Sequence, residues 1–232
     1  MVQVNQNTPI TLRVRFFKKG NLQYISHLDL VRTMHKIVVR SKLPLWYTEG
    51  FNPKPKMVFA APLSIGTESV CEFLDIRLSE KIEPSLAMDM LNKNMTFEMQ
   101  VTEAYYPESK LTELKYFSYD IVIRSNGDAD QNAKLCNNLF SEEKICVLKK
   151  TKSGEAEVDI KPLIKYACAA ASGEDIKINC ILSADQSAFL NPEILVKALR
   201  TKCNILSSEN LLEEFYSILR QNAFFSDMSP FR

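Results

Sequence analysis

"TLRVRFFKKGNLQYISHLDLVRTMHKIVVRSK", Thr11 to Lys42, changes its period halfway along, and that change decides the fold. From Thr11 to Phe17 apolar and basic residues alternate, which is the spacing of a half-buried strand with Arg13 and Arg15 on one face. "KKGN" then turns the chain. Ser26, with Asp29 three residues on, forms a capping arrangement that opens a helix running to about Lys42. Leu30, Val31, Met34, Ile37 and Val38 recur at helical spacing as its buried stripe, and Arg32, Lys36 and Arg40, four apart, fall on the opposite face.

Downstream lies a turn-rich stretch, "LPLWYTEGFNPKPKMVFAAPLSIGTES" from Leu43 to Ser69, which holds the only tryptophan, four of the ten prolines and two of the six glycines. Within and after it, "KMVFAAP" and "CEFLDIRLS" read as strands, "EPSLAMDMLNKN" as a helix with Pro84 in its first turn, and "MTFEMQVTEAYY" as a closing strand. The order β-α-β-β-α-β favours a four-stranded antiparallel sheet with both helices on one face, the ferredoxin-like arrangement. Near "PESKLTEL" the pattern begins again. "YFSYDIVIRS" is a strand, "DADQNAKLCNNLF" a helix behind an Asp cap, and "EKICVLKKT" with "AEVDI" a hairpin turning at Lys152-Ser153-Gly154-Glu155. "IKINCILSA" is a further strand and "NPEILVKALRTK" a last helix, while the tail after Cys203 gives no clear element. The expected fold is therefore α+β, two ferredoxin-like or closely related units with antiparallel sheets, spanning residues 1–115 and 116–232, the second less regular.

The bulk numbers agree with two ordinary units: 232 residues, 46% hydrophobic and 25% charged, a composition that excludes wholesale disorder. Apolar runs fall short of the roughly 20 residues a membrane helix needs, and "MVQVNQNTPI" lacks the regions of a signal peptide, so a cytoplasmic location without membrane association is expected. Six cysteines without a CxxC pair spell neither a zinc knuckle nor an iron-sulfur motif; they are expected to be reduced, mostly buried and free of metal. The net charge of +1 hides an asymmetry: residues 1–60 hold ten Lys/Arg against Asp29 and Glu49 alone, whereas residues 61–115 reverse the sign. Such a local excess points to an anionic partner.

Within the turn-rich stretch, Pro53 and Pro55 restrict the backbone, so Lys54 and Lys56 are held extended and away from the core. These two lysines and Tyr47 are where ligand contact is expected, with Trp46 and Phe51 forming the small core of the loop itself. His27, at the mouth of the first helix, is chemically able to act as a general acid or base, the alternative being a capping or packing histidine. His35 lies toward the helix flank. No nucleotide phosphate loop, zinc-protease helix, nucleophile elbow or kinase signature occurs, and the pair Asp128 and Asp130 reads as a helix start.

Ser26-His27-Leu28-Asp29-Leu30, the basic helix, Leu43-Pro44, Tyr47, Glu49 to Lys56 and Leu63 to Gly66 together strongly resemble the N-terminal part of a bacterial family of uncharacterised domains named for their link to radical SAM proteins. "EVDIKPLI" and "NPEILVKAL" are similar to later segments of that family, extending the resemblance to about residue 200. Lys54 departs from it, standing where the family often has histidine, which weakens any acid–base role at this position. The resemblance implies association, by fusion or as a neighbouring gene, with a radical SAM protein that often also carries a cobalamin-binding region. Lacking a CxxxCxxC motif, this chain is expected to be the partner and to hold no cofactor of its own. The element order and the His-helix-Gly-Phe-Asn-Pro layout also bear a looser resemblance to CRISPR repeat-processing endoribonucleases, which makes RNA a ligand to test.

The expected function is thus an accessory, non-radical module that recognises RNA or another phosphate-bearing substrate. Arg13, Arg15, Lys54 and Lys56 would supply charge, Tyr47 would stack or hydrogen-bond, and Asn52 of the same loop completes the set. Two alternatives remain open: a metal-independent endoribonuclease with His27 as acid or base and Lys54 or Lys56 on the pentavalent phosphate, or a domain that only docks on the radical enzyme.

Overall fold

In the computed structural model, which describes residues 8–151, 154–208 and 213–232, Leu12, Val14 and Phe16 alternate along β1 (Ile10–Lys18) into one core. Lys19 and Gly20 then turn the chain. Gly20 has φ of +61°, and its N–H donates to the Glu68 carboxylate at 2.7 Å while that of Asn21 donates to Glu98 at 2.9 Å. A Cβ on Gly20 would displace the Glu98 carboxylate that accepts from Asn21, and the positive φ favours glycine at this turn.

Helix α1 (His27–Arg40) starts as its capping residues dictate. Ser26 Oγ accepts from the Asp29 N–H at 3.1 Å and donates to its carboxylate at 2.7 Å. The helix stops where Lys42 takes a left-handed φ of 60°, two residues before Pro44. Leu30, Met34, Ile37 and Val38 are buried, but Val31 is only half-buried. The buried stripe is therefore narrower than its spacing predicts, and Val31 belongs to the outer face.

Strands β2 (Met57–Phe59), β3 (Thr67–Leu78) and β4 (Met99–Tyr105), with α2 (Pro84–Asn92) before the last, complete the first unit. Its strands run β4-β1-β3-β2, each antiparallel to its neighbour. Both helices join the cluster formed by Leu12, Val14 and Phe16, through Leu30, Met34, Ile37 and Val38 of α1 and Ala87 and Leu91 of α2, so they cover one face of the sheet.

Arg13 lies on the other face of β1, as the alternation requires, yet it is fully buried. Its guanidinium grips Asp75 of the paired strand through two hydrogen bonds, 2.7 and 3.1 Å, and donates to the Ser109 hydroxyl and carbonyl. Arg13 was expected to supply charge to a ligand; here opposite-charge pairing across the strands, capped by Ser109, satisfies its guanidinium within the protein. Arg15, two residues on, is partly exposed and pairs with Glu103 of β4 at 3.1 Å.

The second unit repeats the order with an insertion. It contains β5 (Tyr116–Arg124), α3 (Ala129–Ser141), the hairpin β6 (Cys146–Thr151) and β7 (Gly154–Asp159), then β8 (Ile164–Ser172), β9 (Asp175–Ser183), α4 (Pro192–Cys203) and β10 (Phe215–Phe224). Strands β10-β5-β9-β8 form an antiparallel sheet, and β6 with β7 form a separate ribbon whose expected turn residues Lys152 and Ser153 lie outside the described residues. Asp128 caps α3 by accepting from the Gln131 N–H, and Asn191 caps α4. The fold is α+β, and the chain divides into two compact units, one ending at Leu111 and joined by Arg232, the other Thr112–Phe231. Strands β8 and β10 were not legible beforehand. None of the described helices is long and apolar enough to cross a membrane.

Two predictions follow from this packing. Asp75→Ala should lower stability by about 3–5 kcal/mol, because it strands a buried guanidinium, and Arg13→Leu added to it should recover part of the loss; denaturant unfolding of the three variants measures both. The six cysteines are all free, and burial pushes the thiols of Cys136 and Cys180 up to about 12. At pH 8 these two hold almost no thiolate, so a maleimide should label exposed Cys168 first and reach Cys136 and Cys180 only after unfolding, as peptide mapping would read.

Candidate functional site

The turn-rich stretch is a small hairpin, Trp46 to Lys56, hung on the edge of β3. The Trp46 N–H donates to the Arg77 carbonyl at 2.8 Å, the Arg77 N–H to the Lys56 carbonyl at 2.9 Å, and the Lys56 N–H to the Trp46 carbonyl at 2.9 Å. Further out, Tyr47 pairs with Pro55, the Thr48 N–H donates to the Lys54 carbonyl at 2.9 Å, and the Lys54 N–H donates back to Thr48 Oγ1 at 3.1 Å. The prolines fit because each occupies a place in which its missing donor is not needed. Only Glu49 to Pro53 remain as a tip, turned by Gly50 at φ +118°.

This hairpin sets out its side chains as its backbone restraints demand. Pro55 is buried, whereas Lys54 and Lys56, two residues apart on either side of it, are exposed. Tyr47 is partly exposed, and Asn52 is exposed at the tip. Phe51 reverses its expected place. Its relative exposure of 112% puts the whole ring in solvent, so it cannot serve as the core of the loop, while Trp46 is half-buried.

Lys54 and Pro55 meet the outer face of α1 across a groove of about 650 Å³. Arg32, Lys36 and Arg40 line it from the helix, together with Leu28, Val31, His35 and Val39. Four cations from two elements therefore border one apolar-floored depression. Arg32 is partly neutralised by Asp29 at 3.1 Å, and hydrogen bonds from Ser26 and then from Arg32 hold the Asp29 carboxyl below the usual carboxylate range. Among the described residues no carboxylate pairs with Lys36, Arg40, Lys54 or Lys56.

His35 Nδ1 lies 2.8 Å from the Val31 carbonyl, which can only accept, so Nδ1 donates in this contact. His27 lies elsewhere in the geometry. At the first residue of α1 it is half-buried and meets the Phe59 ring edge-on, 5.4 Å between centroids, and it does not line the groove. Of the residues singled out from sequence, the structure brings Lys54 to the groove, leaves Tyr47, Asn52 and Lys56 exposed on the same hairpin, and withdraws Arg13 and Arg15 into ion pairs. Of the apolar members, Leu28 and Val39 went unread and Val31 was assigned to the buried stripe, although with His35 the three recur every three or four residues as a second stripe.

Over residues 11–192 the sequence matches the model of a family described as "Uncharacterized protein conserved in bacteria (DUF2344)". No curated protein matches the chain. Among solved structures, a chain from a crystal structure of a Cbf5-Nop10-Gar1 complex is similar with a TM-score of 0.48 and 11% identity, over 91% of this chain and 48% of that one. The present chain thus spans about half the length of that structure's chain. An unknown protein from Galdieria sulphuraria aligns at a TM-score of 0.26 and 9% identity over 92% and 99% of the two chains. DyPB from Rhodococcus jostii RHA1 aligns at 0.22 and 8% over 93% and 91%. Likenesses of this size carry no argument about function.

The hairpin geometry makes a local prediction. An alanine at Gly50 meets no atom within 4 Å, so Gly50→Ala strains only the backbone. Hydrogen exchange at the Thr48 and Lys56 amides should quicken several-fold while the global unfolding midpoint stays unchanged.

Proposed function

The chain belongs to this bacterial family of uncharacterized proteins, and we propose that its first unit is an accessory recognition module that takes RNA by its phosphates between α1 and the Trp46–Lys56 hairpin. Convergence carries the reading: Lys54 of the hairpin lines one groove with Arg32, Lys36 and Arg40 of α1, and three of these four cations have no carboxylate beside them among the described residues. Cations gathered on one face and left unneutralised attract the negative charges of a phosphodiester backbone. Lys56 and Tyr47 extend the surface along the hairpin. Arg13 and Arg15 stand outside it, since Asp75 and Glu103 match their charges.

The likeness of Ser26–Leu30 and Glu49–Lys56 to radical SAM-associated domains supports a role beside such an enzyme. On this reading the present chain holds the substrate, and the radical chemistry belongs to the partner. An endoribonuclease would need His27 at the scissile phosphate, and its edge-on contact with Phe59 favours packing over that role.

Binding of purified protein to total cellular RNA, measured between about 50 and 200 mM salt, tests the proposal. Affinity should fall steeply with salt. Lys54→Glu/Lys56→Glu should weaken binding by more than about tenfold and flatten the log–log slope by about 1.4, the equivalent of two phosphate contacts to a single strand. Absence of binding by the unmodified protein at the lower salt would overturn the reading.

A further inference from the structure

Phe51 has no task in the fold. Its ring is wholly in solvent, at the apex of a five-residue tip whose two ends are joined by the Thr48–Lys54 hydrogen bonds. Gly50 at φ +118° lets the chain turn there, and Pro53 stiffens the return limb. A single exposed apolar side chain is ordinary on a protein surface. A phenyl ring held out on a braced turn, three residues from a lysine that pairs with no carboxylate among the described residues, is a more particular arrangement.

We propose that Phe51 is a stacking platform for an unpaired base, so that the site takes single-stranded RNA in preference to duplex; this rests on the RNA reading above. The surroundings of the ring choose between a base and a protein partner. An aromatic anchor in a protein interface works inside a well-packed patch whose neighbours exclude water. Along the chain Phe51 is flanked by Gly50 and Asn52, then by Glu49, Pro53 and Lys54, so its own tip supplies no second large apolar side chain to pack beside it. A base needs only the flat face of the ring, provided that cations on the same element hold its phosphates; Lys54 and Lys56 are exposed on this hairpin, and Lys54 also lines the groove with Lys36 and Arg40. Since the Thr48–Lys54 bonds fix the root of the tip, ring and lysine are presented together and little ordering is left to binding. A duplex keeps its bases stacked upon each other and offers this site phosphates alone.

The full chain should be titrated with a twelve-nucleotide RNA carrying 2-aminopurine, as the single strand and as its perfect duplex, beside Phe51→Ala and Phe51→Trp. The unmodified protein should prefer the single strand and quench the 2-aminopurine. Phe51→Ala should lose about tenfold in single-strand affinity along with the quenching, and keep its duplex affinity and its salt slope; Phe51→Trp should restore both. Equal single-strand binding by Phe51→Ala, or equal affinity of the unmodified protein for strand and duplex, overturns the stacking role while leaving the phosphate reading in place. Failure of the unmodified protein to bind either RNA at low salt overturns both. Because the ring touches nothing in the fold, a loss of binding by Phe51→Ala cannot be ascribed to unfolding.

Discussion

Arg77 holds the candidate site together through its backbone rather than its side chain. Its carbonyl accepts from one limb of the Trp46–Lys56 hairpin and its N–H donates to the other, while the two limbs bond to each other. Three hydrogen bonds thus close a ring at the edge of β3, where an unoccupied strand edge would otherwise leave polar groups exposed and inviting to other chains. The hairpin covers that edge and, by the same bonds, fixes the direction in which its tip leaves the protein. The question raised by so many prolines and glycines over a short stretch has a physical answer here. Each restricts or permits one backbone angle, and together they leave the lysines and one aromatic ring pointing outward from a fixed root.

Charge is sorted within the first unit by whether it is matched. Arg13 and Arg15 sit on strands beside acidic neighbours, Asp75 and Glu103, and their guanidinium groups are used there. The bidentate geometry suits arginine and makes Arg13 a structural cation in a place where an unpaired one would be prohibitive. Lys36, Arg40, Lys54 and Lys56 pair with no carboxylate among the described residues. The basic excess of residues 1–60 is therefore an overestimate of the usable charge and a fair indication of where it lies.

Much of this was legible in sequence because it is local. The change of period after Gly20, the Ser26 cap and the positions of Pro84, Asp128 and Asn191 are consequences of nearest-neighbour chemistry, and the elements form where these residues put them. What escaped was decided by distant contacts. Strand β8 is "IKYACAAAS", whose alanines have little preference for a strand, and it is extended because β9 pairs with it along its length. Strand β10 pairs with β5, about a hundred residues earlier in the chain, a register that no local window contains. Arg13 was placed on its correct face by alternation, but the burial of that face depends on Asp75 and Ser109, far along the chain. Phe51 differs in the other direction: an aromatic among prolines suggests a miniature core, whereas its place in the tip, beyond the paired limbs of the hairpin, leaves its ring in solvent.

The groups at this site also limit what kind of recognition it can perform. Reading base identity takes donors and acceptors placed against base edges, whereas cations and aromatic faces act on features every nucleotide shares. Around the groove and the hairpin, the uncharged side chains able to read an edge are few: Thr48, Asn52, the Tyr47 hydroxyl and His35. The remainder, four lysines and arginines on the groove, Lys56 beyond it and Phe51 at the tip, respond to phosphate spacing and to whether a base is free to leave its stack. If RNA is the ligand, this unit then selects by accessibility more than by sequence. Selection of a particular RNA would have to come from surfaces outside this site or from a partner that shares the substrate, which is the division of labour expected of an accessory module.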